Sequence, residues 1–290
     1  MRTPLVSVIC TCYNHANYVG SAIRSVLNQT YPDIQLIVVD NGSTDQSEQV
    51  INEMAARDSH IQFISNEQNL GINKAFNQAL EETLGAYIID LSGDDILLPG
   101  RIEEGVNKLK SGGPDFGIHF CDADFINEHD EIVGHHRTAN YFSSGSVPVG
   151  NLYSRILSKY FICPPTLMYT SRAVKELNGY DPDLSYEDFD FLVRASRQFK
   201  FCYSNKVLVR RRLLQSARSV LQYDRKSKMP ASTYRVCKKA YDLNRTKEEM
   251  RALRTRIWFE GRKSLLAGML SVAHGYLKLM MKLQWDIIRK

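Results

Sequence analysis

The chain of 290 residues lacks several features that would place it in a large class of proteins. It has no uninterrupted apolar run of about 18 residues, so a membrane-spanning helix is not expected. It has no G-x-G-x-x-G sequence, which counts against an NAD enzyme, and no G-x-x-x-x-G-K-[ST] sequence, which excludes P-loop kinases and ATPases. Its six cysteines do not have zinc-ribbon spacing. No signal peptide is visible after Arg2, and we therefore expect a reducing, cytoplasmic environment.

The charge is distributed unevenly along the chain. Residues 1–200 carry 15 Lys and Arg against 26 Asp and Glu, a balance of −11. Residues 201–290 carry 22 against 6, a balance of +16. Such a division indicates a basic extension that meets an anionic partner. Nucleic acid, an anionic membrane surface and a phosphorylated acceptor all fit this charge, although no nucleic-acid recognition motif accompanies it.

Hydrophobic patterns predict alternating strands and helices over the first hundred residues. The predicted strands are Leu5–Thr11, Ile34–Val39, Ile61–Ser65 and Ala86–Leu91. The predicted helices between and after them are Tyr18–Asn28, Thr44–Ala56, Ile72–Leu84 and Arg101–Lys110. Near-continuous apolar strands separated by helices indicate an α/β fold with a Rossmann-like, mainly parallel central sheet that is flanked by helices.

The second half predicts further strands and then helices alone. The strand-like segments are Phe116–Cys121, Glu131–His136 and Thr166–Thr170. The helical segments are Asn151–Tyr160, Ser171–Leu177 and Glu187–Phe199, and the loop is residues 140–149. Beyond about Leu214 the pattern is helical only, with Lys and Arg between the apolar positions. These basic amphipathic helices, which contain Trp258 and Trp285, fit either a membrane-surface element or a solvated basic face.

Polar residues follow three of the predicted parallel strands. Asp40-Asn41 follows its strand directly, and Tyr13-Asn14 and Asp94-Asp95 follow theirs after one and two further residues. Right-handed crossovers place these strand ends on one edge of the sheet, where ligands of open α/β folds bind. Carboxylate oxygens favour Mg²⁺ or Mn²⁺, which commonly links carboxylates to substrate phosphates. The alternative is that Asp94 or Asp95 caps the helix that begins near Pro99.

Five motifs in order give the chain a close resemblance to a known family. They are Val6–Asn14, Val39–Asp45, Asn69–Gly71, Ser92–Asp95, and Gly179–Asp181 followed by Tyr186–Arg194. Over residues 4 to 215 the chain resembles the family 2 glycosyltransferases of GT-A fold. The resemblance implies an inverting transferase that uses a nucleotide-diphospho-sugar and Mn²⁺ or Mg²⁺.

The resemblance also implies roles for the residues of a donor site. Thr11, Tyr13 and Asn14 would bind the nucleotide, with Tyr13 packed against the base. Asp40 would accept a hydrogen bond from a base N–H. Lys74 would reach the diphosphate, although a solvated helix face is an equal alternative.

Four acidic residues receive metal-binding or catalytic roles from the same resemblance. Asp95 would ligate the metal and Asp94 would contact the ribose or the donor sugar. Asp188 would be the catalytic base that removes the proton of the acceptor hydroxyl. Glu187 would raise the pKa of Asp188 by like-charge proximity, or would anchor a loop.

The sequence departs from the family pattern at two places. The family turn commonly carries two acids, and here the second is Asn41. The late histidine that helps to hold the metal in many members is absent from Val209–Ser216. An arginine of that stretch, Arg211 or Arg212, would instead contact the diphosphate, because guanidinium matches phosphate geometry.

We expect, in sum, a GT-A catalytic domain over residues 1–215, with a nucleotide-sugar half at about 1–110 and an acceptor half at 111–215. A C-terminal helical basic extension covers 216–290.

The expected reaction is hexosyl or N-acetylhexosaminyl transfer, most simply from a UDP-sugar, to a glycan or lipid-linked saccharide of a surface polysaccharide or lipopolysaccharide. The expected place is the cytoplasm, with peripheral contact to the inner face of the plasma membrane. The alternatives are an inactive nucleotide-sugar-binding or scaffold protein and a nucleotidyltransferase, whose Gly-rich basic loop is missing after the first strand.

Overall fold

The computed structural model describes residues 3–185, 187–214, 222–225 and 227–289. The chain divides into two compact units. The sheet unit comprises the described residues of Met1–Gly150, Ile162–Pro182 and Phe199–Leu213. The helical unit comprises those of Asn151–Phe161, Asp183–Gln198 and Leu214–Lys290. The domain boundaries expected near residues 110 and 215 stay predictions, and Tyr186, Gln215 and Ser216 of the predicted motifs lie outside the described residues.

Nine strands form one sheet in the described part of the sheet unit. Strands β1 to β5 are Val6–Cys12, Ile34–Asn41, Ile61–Asn66, Tyr87–Ser92 and Ile96–Leu97. Strands β6 to β9 are Phe116–Ile126, Ile132–His136, Met168–Thr170 and Lys200–Arg212. The order is β3-β2-β1-β4-β8-β6-β9-β5, and β7 pairs with β6. β1 runs parallel to β2 and β4, and β2 runs parallel to β3. The predicted mainly parallel α/β sheet is confirmed.

Ten α-helices accompany these strands in the described residues. Helices α1 to α5 are Val19–Leu27, Ser47–Ala55, Ile72–Glu81, Arg101–Gly112 and Tyr153–Ser158. Helices α6 to α10 are Ser171–Glu176, Glu187–Ala195, Met229–Leu243, Lys247–Leu266 and Leu270–Arg289. Over the described residues, none of them combines the length and the apolar character that crossing a membrane requires.

The central strand β1 has all seven of its residues buried, because helices cover both faces of the sheet. Val6 pairs with Ile34 of β2 and with Tyr87 of β4, so the three strands stay in register to their carboxyl ends. That register places the carboxyl ends of β1, β2 and β4 side by side, which is the arrangement that the sequence predicted for the polar strand ends.

The longest strand, β9, is an element that the sequence analysis did not assign. It pairs in parallel with β6 over most of its length. Its charged residues obscure the apolar alternation, since Lys206 and the arginines at its end interrupt the pattern. Tertiary contacts compensate for these charges, because Lys200 pairs with Asp115 at 2.9 Å and Lys206 pairs with Glu104 at 2.6 Å. Long-range pairing therefore overrides the local pattern.

A buried polar network joins α4 to β6 and β9. The Arg101 guanidinium is fully buried and donates to the Thr166 carbonyl at 2.6 Å. It also lies 3.2 Å from His119 Nδ1, and His119 Nε2 lies 3.0 Å from Ser204 Oγ. Because arginine can only donate, Nδ1 is the acceptor and Nε2 carries the proton. Burial lowers the pKa of His119 well below 6.5, and the Arg101 charge lowers it further, so the imidazole is neutral.

The turn after β2 depends on a glycine. Gly42 has a φ of 71°, and a Cβ atom there would lie 2.3 Å from the Gln68 carbonyl carbon and 2.6 Å from the Asn69 nitrogen. Backbone atoms cannot give way as the end of a flexible side chain can. Gly71 also has a positive φ, 87°, but a Cβ atom there would meet nothing within 4 Å among the described residues.

The helical unit is held by charged groups at its centre as well as by apolar packing. Arg197 donates to both carboxylate oxygens of Glu249 at 2.7 Å and lies 3.2 Å from the centre of the Tyr153 ring. Arg256 donates to Glu260 at 3.2 Å, and both of these side chains are buried. Paired in this way, buried charges do not carry an uncompensated desolvation cost.

We expect Gly42→Ala to lower the free energy of unfolding by about 2 to 4 kcal/mol, because strain at positive φ adds to a backbone clash. Gly71→Ala is the matched control, with strain but no clash, and it should cost about 1 kcal/mol. Urea unfolding followed by circular dichroism measures both values. Equal losses in the two variants would contradict the steric argument.

We expect His119 to make the stability pH-dependent. Its pKa is lowered in the folded protein, so only the unfolded chain takes up its proton as the pH falls below about 6.5. Its contribution to stability is complete above that pH and is lost below it by about 1.4 kcal/mol per pH unit. Urea unfolding of the wild type and His119→Gln at pH 5.5, 6.5 and 7.5 isolates this effect, because the variant lacks the titration. Parallel pH profiles of the two proteins would refute it.

Candidate active site

Hydrogen bonds between the segments after β1 and β2 hold the two strand ends together. The Asn14 amide donates to Ser43 Oγ at 2.9 Å, and Asn14 Oδ1 accepts from the Thr44 amide at 2.8 Å. Asn14 adopts a φ of 56°, which asparagine tolerates better than most residues. These contacts turn the chain sharply after Tyr13. The predicted neighbours Tyr13-Asn14 and Asp40-Asn41 are therefore brought together.

The Asp45 carboxylate, just before α2, adds further hydrogen bonds to this junction. Asp45 accepts from the amides of Ala16 at 3.0 Å and Ser47 at 2.9 Å. Burial raises the pKa of Asp45, but the hydrogen bonds from Ser47 and Ala16 outweigh it and the pKa is lowered overall. The Asp45 carboxylate is therefore a structural group that ties the two loops together.

Asp40 lies at the end of β2 and is almost completely buried. Its Oδ1 accepts from Ser43 Oγ at 2.6 Å, and its Oδ2 accepts from the Ser43 amide at 2.9 Å. Each carboxylate oxygen can accept a second hydrogen bond, so one ligand N–H can still be bound. The next residue, Asn41, accepts from the Leu70 amide at 3.0 Å and thereby holds the Asn69–Gly71 loop beside the strand end.

Three other predicted donor-site residues differ widely in exposure. Tyr13 is 41% exposed, as a ring that stacks on a ligand must be. Thr11 is buried, and within the described residues its Oγ1 has no hydrogen-bond partner. A buried hydroxyl without a partner costs free energy unless a ligand or water satisfies it. Lys74 is exposed on α3.

The acidic pair follows β4 on the same edge of the sheet. The Asp95 carboxylate is buried and accepts from the Arg212 amide at 2.8 Å. Burial raises the pKa of Asp95 well above its ordinary value, and the neighbouring Asp94 charge raises it further. The Arg212 amide and the charges of Arg211 and Arg212 oppose this rise without cancelling it. A divalent cation beside both carboxylates would remove this electrostatic cost.

The alternative role for this pair, as a helix cap, is wrong. Helix α4 begins at Arg101, and its capping residue is Gly100 in a left-handed conformation with no side-chain cap. The Asp94 carboxylate instead accepts from the Ser92 hydroxyl within the same turn.

A histidine that the sequence analysis missed lies beside the acidic pair. His15 Nδ1 is 4.0 Å from Asp94 Oδ1, and in the described residues it has no hydrogen-bond partner. Its position directly after Tyr13-Asn14 was the available signal. The described residues contain no group of three or more His, Cys, Asp and Glu side chains placed to hold a metal ion. The oxygen atoms of Asp94 and Asp95 nevertheless fit the preference of Mg²⁺ and Mn²⁺.

Arg212 fastens the acidic turn to the rest of the sheet unit. Its Nε donates to the Asp94 carbonyl at 3.0 Å, and its two terminal nitrogens donate to the Asn127 carbonyl and to the Asp130 carboxylate. Its guanidinium also lies 4.4 Å from the centre of the Tyr18 ring. Protein groups thus contact every nitrogen of this side chain, which supports a positioning role. Its predicted contact with a diphosphate stays a prediction.

The predicted catalytic acids lie in the helical unit, at the start of α7. Asp188 is buried, and its Oδ2 accepts from the Tyr160 hydroxyl at 2.9 Å. Asp190 is also buried but accepts from two cations, Arg194 at 2.7 Å and Lys239 at 2.8 Å. Two acids of one helix turn therefore have different surroundings. Glu187 is the first residue of the same helix.

Comparisons with known proteins give a consistent result. The profile of Glycosyl transferase family 2 matches residues 7–176. An uncharacterized glycosyltransferase of Methanocaldococcus jannaschii is 30% identical over 216 residues, which cover 73% of this chain and 72% of the relative. A chondroitin synthase of Escherichia coli is 30% identical over 226 residues, which cover 77% of this chain but 31% of the relative.

Two solved structures share the fold. The S. aureus TarS fragment 1–349, in complex with UDP-GlcNAc, superposes with a TM-score of 0.69 at 19% identity, over 98% of this chain and 81% of that one. The mannosyltransferase PcManGT from Pyrobaculum calidifontis, in complex with GDP-Man and Mn²⁺, gives a TM-score of 0.66 at 14% identity, over 99% and 88%. Because the family profile matches more than half of the sequence, the chain belongs to glycosyl transferase family 2 and is a glycosyltransferase, as its motifs predicted.

Proposed function

We propose that the protein transfers a sugar, with inversion, from a nucleotide-diphospho-sugar to a hydroxyl group of a glycan or lipid-linked saccharide. The observation that carries this proposal is the edge formed by β1, β2 and β4. There, the Thr11 hydroxyl, which has no hydrogen-bond partner among the described residues, and the buried acid Asp95, whose raised pKa reflects burial beside Asp94, lie on neighbouring strand ends. Such groups are satisfied by a bound polar ligand and a cation.

The nucleotide would lie over the ends of β1 and β2. Tyr13 would stack on the base, Thr11 and Asn14 would border it, and Asp40 would accept its N–H. We propose UDP as the nucleotide. The solved relatives were described with UDP-GlcNAc in one case and GDP-Man in the other, so binding assays must separate the two bases.

The diphosphate would lie next to the acidic turn. Asp95, with Asp94 beside it, would hold Mn²⁺ or Mg²⁺, and the cation would neutralise charge on the leaving diphosphate. Asp94 would also contact the ribose or the donor sugar. Lys74 would reach the diphosphate from the exposed side of α3, and Arg212 would keep the acidic turn in place as well as adding positive charge nearby.

Asp188 would act as the general base. The acceptor oxygen forms a bond to the anomeric carbon, the bond from that carbon to the diphosphate oxygen breaks, and the hydroxyl proton moves to Asp188. The Tyr160 hydroxyl holds the Asp188 carboxylate in one orientation. Asp190 pairs with two cations, whereas Glu187 would raise the proton affinity of Asp188 by like-charge proximity.

The acceptor would be a growing saccharide of a surface polysaccharide or lipopolysaccharide. The relative named chondroitin synthase supports polysaccharide formation by hexosyl or N-acetylhexosaminyl transfer. A lipid-linked acceptor would require peripheral contact with a membrane. We keep residues 1–110 as the proposed nucleotide-sugar half, 111–215 as the acceptor half and 216–290 as the basic extension.

We expect Asp188→Asn to keep donor affinity but to lower the transfer rate by about 10² to 10⁴-fold, because general-base catalysis contributes that much. Asp190→Asn is the matched control on the same helix, and it should reduce the thermal midpoint more than the rate. Calorimetric titration with a UDP-sugar and a coupled assay for released UDP separate the two effects. Undiminished transfer by Asp188→Asn would overturn the assignment. An inactive binding protein would instead bind donors and show no transfer in the wild type.

We expect UDP-sugars to raise the thermal midpoint only when Mn²⁺ or Mg²⁺ is present, and Asp95→Asn to abolish the metal-dependent part of that rise.

Thr11→Val should weaken nucleotide binding about tenfold, because a buried hydroxyl loses its ligand partner. Thr11→Ser keeps the hydroxyl and should retain affinity. A thermal-shift panel of nucleotide sugars, with and without metal, measures all of these changes. The absence of a shift with any nucleotide would overturn the proposed donor class.

A further inference from the structure

Helix α10 has two apolar faces, and among the described residues only one of them is packed against the rest of the helical unit. Tyr276, Leu279 and Leu283 are buried inside the helical unit. The other face carries an exposed stripe at helical spacing, here called the α10 stripe: Leu270, Leu277, Met281, Trp285 and Ile288. Each of these five side chains is more than half exposed. Such a stripe is larger than the single exposed apolar residues that a protein surface normally shows.

Helix α9 extends this surface. Trp258 is 68% exposed, and Arg254 and Arg251 lie one and two turns before it, respectively, on the same side. Arg254 donates to Gln284 of α10 at 3.1 Å, so the exposed row of α9 borders the α10 stripe near Trp285. The combined surface therefore consists of the α10 stripe, which includes Trp285, and Trp258 of α9.

Positive charge borders the apolar side chains. At 100° per residue, Lys278, Lys282 and Arg289 fall on one flank of the α10 stripe. Residues 247–289 carry nine Lys and Arg against four Asp and Glu. Three of these four acids contact protein groups: Glu249 pairs with Arg197, Glu260 with Arg256, and Asp286 accepts from the Tyr241 hydroxyl. The fourth, Glu248, is exposed in the first turn of α9. The outward charge is therefore positive.

An apolar stripe with tryptophan and a flanking row of lysines is the pattern of a helix that lies in the interface of a bilayer. Anionic headgroups would pair with the lysines, while the stripe would enter the acyl boundary. A second copy of the same surface fits less well, because pairing two stripes would bring both rows of basic residues together. We propose that the α10 stripe, with Trp258 of α9, docks this protein onto a membrane surface that contains anionic lipids.

The two tryptophans offer a direct test, because Trp258 and Trp285 are the only tryptophans in the chain and both lie on this surface. Vesicles of phosphatidylcholine and phosphatidylglycerol should shift the emission of the full chain to shorter wavelength. Brominated lipids should quench it. Vesicles of phosphatidylcholine alone should give a much smaller shift, and raised salt should weaken binding to the anionic vesicles.

Variants then separate the apolar and the basic contributions. Leu277→Ser with Met281→Ser keeps both tryptophans and should lower vesicle partitioning at least about tenfold, since two side chains lose their burial. Lys278→Gln with Lys282→Gln should lower it by about fivefold per lysine at low salt, and by little at high salt. Leu84→Ser is the matched control, because Leu84 is 79% exposed in the sheet unit, and it should leave partitioning unchanged.

Several results would overturn the proposal. The absence of an emission shift with anionic vesicles, or unchanged partitioning of the Leu277→Ser, Met281→Ser variant, would each do so. A lipid-free dimer seen by light scattering, lost in that variant and accompanied by no vesicle binding, would assign the stripe to a second copy of this chain. Donor binding in the thermal-shift panel is read without vesicles, so failure of the proposed transfer reaction and failure of membrane docking remain distinguishable.

Discussion

The hydrogen bond from the Arg212 amide to the buried carboxylate of Asp95 is the contact on which the acidic turn depends. It joins Arg212, the last residue of β9, to Asp95 in the turn after β4, although the two residues are far apart in sequence. The Arg212 side chain adds a second connection through the Asp94 carbonyl. Without these contacts, the buried carboxylate of Asp95 would lie beside Asp94 without the hydrogen bond from the Arg212 amide that holds its orientation. The turn after β4 is therefore shaped by the last strand of the sheet.

The burial of Asp95 beside Asp94 costs free energy in the folded protein. Burial and the Asp94 charge disfavour the ionised form of Asp95, and the nearby arginines compensate only in part. Thr11 adds a buried hydroxyl that the described residues leave without a partner. Both features lower the stability of the ligand-free protein. In a site that binds a charged ligand this is expected, because the same groups become favourable once a ligand or cation satisfies them.

Much of the sheet and of its polar edge could be predicted from local sequence. The apolar strands β1, β2 and β4 and their polar ends follow from the period of the pattern, so Asp40 and Asp94 were expected on one edge. The strand β9 was not expected, because Lys206 and the arginines at its end interrupt the apolar alternation. His15 was overlooked because local sequence does not show its distance to Asp94. The two residues approach each other only through tertiary contact between the turn after β1 and the turn after β4.

The mainly parallel sheet and the residue types at its strand ends could be predicted from local sequence, because hydrophobic period and turn chemistry are local properties, and the motifs were enough to predict the family. How those residues are held depends instead on tertiary contacts. The Asp45 carboxylate links two loops, and Gly100 occupies the capping position that the sequence analysis gave as the alternative role of Asp94 or Asp95. Tertiary packing also separated the two apolar faces of α10, leaving Trp285 exposed and Leu283 buried. These outcomes depend on which distant groups approach one another, and that is set by packing over the whole of each unit.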